Sequence, residues 1–178
     1  LIPAAKSPLK DQATVEAMHR LAMLERAVAD LHGVAVDARE LDRPGPSYTA
    51  DTLAGLRHEY GAERTLVWII GADILATLPR WSRWRELLEF AHIVVMARPD
   101  AEPHPPEVSA WLEENKSDQA GLLTRPRGGV FTLAQPLLDI SSSDIRAMIA
   151  AGRDPRFLLP DGVMEYISDH ALFSRDLA

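Results

Sequence analysis

The chain has 178 residues, enough for one domain with a substantial buried core. Its formal charge is -7 and its basic residues are scattered, which argues against nucleic acid or an anionic membrane as the main partner. Cysteine is absent, so there is no disulfide framework, thiolate metal site or cysteine nucleophile, and the composition fits the cytoplasm.

The chain opens without a methionine on Leu1-Ile2-Pro3, which reads as the end of a strand. After a proline loop, Thr14 is placed to cap a helix running to about residue 31. Leu21, Leu24, Val28 and Leu31 recur there at helical spacing and mark one buried face. Gly33 ends that helix, and Val34-Ala35-Val36 is a short strand candidate. Arg43-Pro44-Gly45-Pro46 makes a turn, with Ser47 as predicted N-cap of a second helix that carries Leu53 and Leu56 and closes at Gly61.

Leu66-Val67-Trp68-Ile69-Ile70 is a continuous apolar run, which predicts a strand covered on both faces of a parallel sheet. Residues 83–90 read as helical, and Ile93-Val94-Val95-Met96 as another buried strand. Pro103, Pro105 and Pro106 mark a loop before a short helix at 108–113. Residues 117–129 hold three glycines and a proline and read as a mobile excursion. A strand is predicted at 130–133, a helix at 141–151, and a last helix from Pro160 through Val163, Met164 and Ile167. Strands alternating with helices indicate a doubly wound α/β parallel sheet, whose ligands bind outside the carboxyl ends of the strands.

Four segments can carry chemistry, the last three of them at such junctions. In Ile140-Ser141-Ser142-Ser143-Asp144-Ile145-Arg146, three hydroxyls open a helix and a guanidinium follows within its first turns. Unpaired N–H groups, hydroxyls and a bidentate arginine suit phosphate. Ser141 and Asp144 also fit a plain capping box. Asp73 follows the apolar strand through Gly71, where it can bind a sugar or base or act as an N-cap. Trp81, after Leu78-Pro79-Arg80, can stack on a flat heterocycle or simply pack, whereas Trp84 is assigned to packing. At Pro46-Ser47-Tyr48-Thr49, the helix start can receive a carboxylate or phosphate. The six histidines show no metal-ligand spacing, and neither a P-loop nor a G-x-S-x-G elbow occurs.

In this order, the segments resemble bacterial nicotinate-nucleotide adenylyltransferases. The likeness runs from Ile2-Pro3 through Pro8-Leu9-Lys10, Arg20-Leu21-Ala22-Met23 and Arg43-Pro44-Gly45-Pro46-Ser47-Tyr48-Thr49. It continues through Ile69-Ile70-Gly71-Ala72-Asp73, Leu78-Pro79-Arg80-Trp81 and the serine-rich turn. Its tail is Gly152-Arg153, Leu159-Pro160-Asp161 and Tyr166-Ile167.

The resemblance implies a Rossmann-like nucleotidyltransferase fold, a parallel sheet with helices on both faces. It implies adenylyl transfer from ATP, with Mg2+, to nicotinate mononucleotide, giving deamido-NAD and pyrophosphate. Ser141, Ser142, Ser143 and Arg146 would hold the ATP phosphates. Lys10, Tyr48, Thr49, Asp73 and Trp81 would form the mononucleotide site, with Trp81 against the pyridine ring. Leu9 stands where the family usually has a histidine, and Ser143 where it has a threonine. The family's opening strand and Gly-Gly-x-Phe-Asp-Pro-x-His-x-Gly-His loop have no counterpart here. The expectation is therefore a single nucleotidyltransferase domain over residues 1–178, N-terminally incomplete with the first βα unit missing, and of little or no activity alone. Turnover at a normal rate would overturn that. The rivals are an adenylyltransferase for nicotinamide mononucleotide or phosphopantetheine, and an inactive nucleotide-binding module. A homo-oligomer is left open.

Overall fold

Three apolar runs pair side by side and in parallel in the computed structural model, which describes residues 1–5, 15–97, 103–134, 138 and 140–174. In chain order its elements begin with helices α1 (Ala17–Val28) and α2 (Thr49–Tyr60), strand β1 (Val67–Gly71), helix α3 (Leu87–Phe90) and strand β2 (His92–Met96). Helices α4 (Pro106–Glu114) and α5 (Gln119–Thr124), strand β3 (Val130–Leu133), and helices α6 (Ser142–Ala150) and α7 (Asp161–Asp169) follow. They sort into two compact units, one Tyr48–Leu137 and the other Leu1–Ser47 together with Leu138–Ala178. No described helix is long and apolar enough to cross a membrane.

In the unit of residues 48–137 the strand order is β1-β2-β3, with Val67 opposite His92 and Ile93 opposite Val130. Parallel neighbours need crossovers, and helical segments supply both. Short 3-10 turns and α3 join β1 to β2, and α4 and α5 join β2 to β3. All three strands therefore end on one edge, at Gly71, Met96 and Leu133. The middle strand β2 is buried over its first four residues. Leu53 of α2, Leu78, Trp84, Leu87, Val108 and Trp111 enclose the sheet residues Ile70, Ile93, Val95 and Val130. Trp84 meets Trp111 edge to face with ring centroids 5.3 Å apart, as its assignment to packing anticipates.

Two expectations change here. Strand β1 is covered on one face only: Trp68 and Ile70 turn inward, whereas Val67 and Ile69 are 44% and 65% exposed. An unbroken apolar run does not reveal how many faces are covered, and among the described strands β1 pairs on one side alone. The segment 117–129 is not a loose excursion. It contains α5, capped by Asp118, whose carboxylate accepts the Gly121 N–H at 2.7 Å. His92 fastens its far end: Nδ1 accepts the Gly129 N–H at 2.9 Å, and Nε2 donates to the Arg125 carbonyl at 2.8 Å. That pair of bonds fixes a neutral imidazole. A Cβ at Gly129 would stand 2.9 Å from Cβ of Ser117 and 3.0 Å from His92 Nδ1, so glycine here serves close packing.

In the other unit, α1 packs on α7. Val163, Tyr166, Ile167 and Leu172 are its buried core, with Ala22, Met23 and Ala27 of α1 against them. The His19 ring nitrogen Nδ1 lies 2.9 Å from the Tyr166 hydroxyl, and Arg26 sits over the Tyr166 ring at 4.2 Å. Helix α1 stops at Val28, so Leu31 falls beyond it and is exposed. Thr14, its predicted cap, lies outside the described residues, and Glu16 occupies the cap position. Residues 34–36 form no strand, but the Leu1 nitrogen donates to Ala35 O at 2.6 Å and Asp37 N to Leu1 O at 2.9 Å. Those two bonds make one parallel ladder step.

Candidate functional site

Helix α2 sets the position of Tyr48 and Thr49. Arg57, in its last turn, is bonded to carbonyls at the entries of the strands: Phe90 through Nε at 2.9 Å and Pro126 through Nη2 at 2.9 Å. A 12-residue helix rises about 18 Å and a five-residue strand about 16 Å, so α2 spans the height of the sheet. Its first turn thus lies toward the edge where the strands end. Tyr48, not Ser47, is the N-cap, and no side chain caps the helix. The Ser47 hydroxyl instead accepts the Ala5 N–H at 3.1 Å. The N–H groups of Thr49 and Ala50 therefore have no side-chain acceptor among the described residues, and the Thr49 side chain is half-buried.

Asp73 follows the carboxyl end of β1 on a 3-10 turn, Ala72–Ile74. It is exposed, makes no hydrogen bond among the described residues, and does not cap that turn. Gly71 has a local role: a Cβ there would overlap Oδ1 of Asp73, so the missing side chain lets the carboxylate fold back. Trp81 ends the next 3-10 turn, Leu78–Arg80, and its N–H bonds to Leu78 O at 2.9 Å. It is half-buried against the core, with its neighbours Leu78 and Trp84 fully inside. Between them Arg83 adopts φ 54°, ψ 36°, the left-handed region. Such a backbone costs a non-glycine residue about 1–2 kcal/mol. Its guanidinium forms an ion pair with Asp51 in the first turn of α2, and its Nη1 lies 3.5 Å from Glu86.

The serine-rich turn belongs to the other unit. Ser141 is the N-cap of α6: its hydroxyl accepts the Asp144 N–H at 3.1 Å and donates to the Asp144 carboxylate. Ser141 therefore caps the helix, but the Asp144 carboxylate meets the Ser141 hydroxyl, not its backbone N–H, so only the N-cap half of a capping box is made. Ser142 and Ser143 are exposed on the first turn. Arg146 folds back over them, its Nε donating to Ser142 O at 3.0 Å and its Nη2 to Ser143 Oγ at 3.3 Å. Hydroxyls, a guanidinium and first-turn amides are thus gathered at one helix end. Lys10 lies outside the described residues.

Sequence reasoning missed Arg57 and His92. The Arg57 guanidinium makes six hydrogen bonds to five carbonyls, Phe90 accepting twice and the remaining ones being Gly61, Ala62 and Arg64. Burial, and then the nearby Arg127 charge, lower its pKa from the ordinary guanidinium value. An open cavity of about 580 Å³ adjoins it at the entry end of the sheet, lined by His58, Glu89, Phe90 and Arg127 among others. None of the sequence-predicted site residues lines that cavity. Only the arginine's distance from any motif, and its backbone partners, set it apart; neither is a sequence signal.

A family model described as Cytidylyltransferase-like matches residues 1–148. The chain is 45% identical over 174 residues to a "Probable nicotinate-nucleotide adenylyltransferase" of Pseudomonas paraeruginosa, covering 97% of this chain and 81% of that one. A protein of the same description from Pseudomonas aeruginosa is 44% identical with the same coverage. Among solved structures, the Plasmodium falciparum nicotinic acid mononucleotide adenylyltransferase complexed with NaAD superposes with a TM-score of 0.66 at 16% identity. That match covers 97% of this chain and 80% of the other. The same enzyme complexed with APC gives a TM-score of 0.61 at 16% identity, over 89% of this chain and 76% of that one. By a family model matching more than half its length and relatives above 40% identity across nearly all of it, the chain belongs to the nicotinate-nucleotide adenylyltransferases of the cytidylyltransferase-like family.

Proposed function

We propose that the chain serves adenylyl transfer from ATP to nicotinate mononucleotide, yielding deamido-NAD and pyrophosphate in NAD biosynthesis. The observation that carries this is 45% identity over 97% of the chain to a relative described by that activity. In the reaction a phosphate oxygen of the mononucleotide attacks the α-phosphorus of ATP. One P–O bond forms, the α–β bridge breaks, and pyrophosphate leaves. No protein nucleophile is required, so the residues contribute by positioning and by stabilising charge.

Ser142, Ser143 and Arg146 are the proposed phosphate grip at the start of α6. Ser141 supports it by holding the turn through Asp144. Tyr48 and Thr49 offer first-turn amides to the nicotinate carboxylate or the phosphate, Asp73 a carboxylate to sugar or base, and Trp81 a ring face to the pyridine. Lys10 remains the proposed contact to the substrate phosphate. Mg2+ arriving with ATP would neutralise phosphate charge. The described residues hold no group of three or more His, Asp or Glu suited to a metal, so phosphate oxygens and water are the donors that fit it.

Calorimetric titration with nicotinate mononucleotide, ATP and deamido-NAD, alongside pyrophosphate release, tests the reading. Binding of the acid mononucleotide in preference to the amide is the expected outcome. A chain that binds none of the three, or prefers the amide or phosphopantetheine, overturns it.

A further inference from the structure

The geometry points to Arg83 as a positioning residue that sets the width of the mononucleotide site by clamping the Trp81 turn to the first turn of α2. The inference rests on the proposed placement of the pyridine nucleotide between Thr49 and Trp81.

Three observations combine. Among the described residues of this unit, Arg83 alone among non-glycines has a positive φ. Glycine would hold the same turn without steric cost, and arginine is not a residue that favours this region, so its side chain is what the position requires. That side chain reaches 32 residues back to Asp51, which sits two positions after Thr49 on the first turn of α2. Finally, the turn is anchored at both ends by Leu78, 0% exposed, and Trp84, 5% exposed. Trp81 lies between these anchors, only half-buried. Its segment can tilt about them unless something holds it, and the bond to Asp51 joins it to the helix that presents Thr49. The two partners are 40% and 44% exposed, so the pair adds little to folding. Its effect falls on the distance between two binding elements, where a small misplacement weakens ligand contacts strongly.

The test uses the full chain with Arg83→Gly, Arg83→Lys and Asp51→Asn, each titrated with nicotinate mononucleotide and separately with ATP. Arg83→Gly relieves the left-handed backbone, so its melting temperature should equal or exceed the parent's. Its Kd for the mononucleotide should rise about tenfold while that for ATP stays within about twofold. Asp51→Asn should behave likewise, and Arg83→Lys should recover most of the loss. A mononucleotide Kd unchanged in Arg83→Gly and Asp51→Asn overturns the clamp and leaves the proposed function standing. So does a loss shared equally by both ligands with a lowered melting temperature. A parent that binds no mononucleotide sinks the proposed function instead. Hydrogen exchange then judges the clamp: amides of residues 77–82 must open faster in Arg83→Gly, and equal rates reject it.

Discussion

His92 is 0% exposed and spends both ring nitrogens on backbone groups more than 30 residues away. Replacing it with leucine removes the acceptor for the Gly129 N–H and the donor to the Arg125 carbonyl. The Gly129 N–H is then buried without an acceptor, at about 1–3 kcal/mol, whereas the Arg125 carbonyl keeps the Thr65 hydroxyl at 3.4 Å. His92→Leu should therefore lower the urea midpoint clearly at an unchanged m-value, and an unmoved midpoint would show that water replaces the ring. Arg57→Lys should also destabilise, since an ammonium with three donors cannot serve the five carbonyls that the guanidinium gathers. Neither residue was legible in the sequence. Their partners are main-chain atoms brought close by folding, and main-chain atoms carry no sequence signature. Trp84 was legible as a packing residue: it falls in the stretch 83–90 read as helical, and it is 5% exposed.

At the scale of elements, the strands β2 and β3 and the helices α6 and α7 agree with their sequence patterns to within a residue or two. The failures have one cause: local composition was read without the atoms that answer it. Glycines at 121, 128 and 129 suggested mobility, but Gly129 is small because His92 and Ser117 press against it. Ser47 looked like a cap, yet its hydroxyl answers Ala5. The start of α6 allows a clean separation of cap from ligand grip. Ser141→Ala should cost about 1 kcal/mol of stability, measured by chemical denaturation. Ser142→Ala and Ser143→Ala, on exposed side chains, should leave stability within about 0.5 kcal/mol and weaken ATP binding in calorimetry. Unaltered ATP affinity in the Ser142→Ala, Ser143→Ala double variant would remove the hydroxyls from the proposed grip.

At the scale of the molecule, the α/β class was legible from alternation alone, and three parallel strands realise it. Which residues answer one another across the chain was not. The two units also differ in how much apolar side chain they bury. The sheet unit buries a continuous set of large apolar residues, whereas α1 buries none of its residues fully and rests on four buried ones around α7. Amides of α1 should exchange faster than those of β2 in native-state hydrogen exchange, and equal protection would mean that the two units open as one.

The sheet unit is a single unbroken stretch, Tyr48–Leu137, and the other unit is assembled from segments on either side of it. His19 and Tyr166, which meet across α1 and α7, are 147 residues apart. Closing so long a loop early is entropically costly, while the sheet's own pairings bridge only 25 to 37 positions. During synthesis the sheet's pairings can therefore close as soon as β3 emerges from the ribosome, whereas the contact of α1 with α7 has to wait until α7 is made.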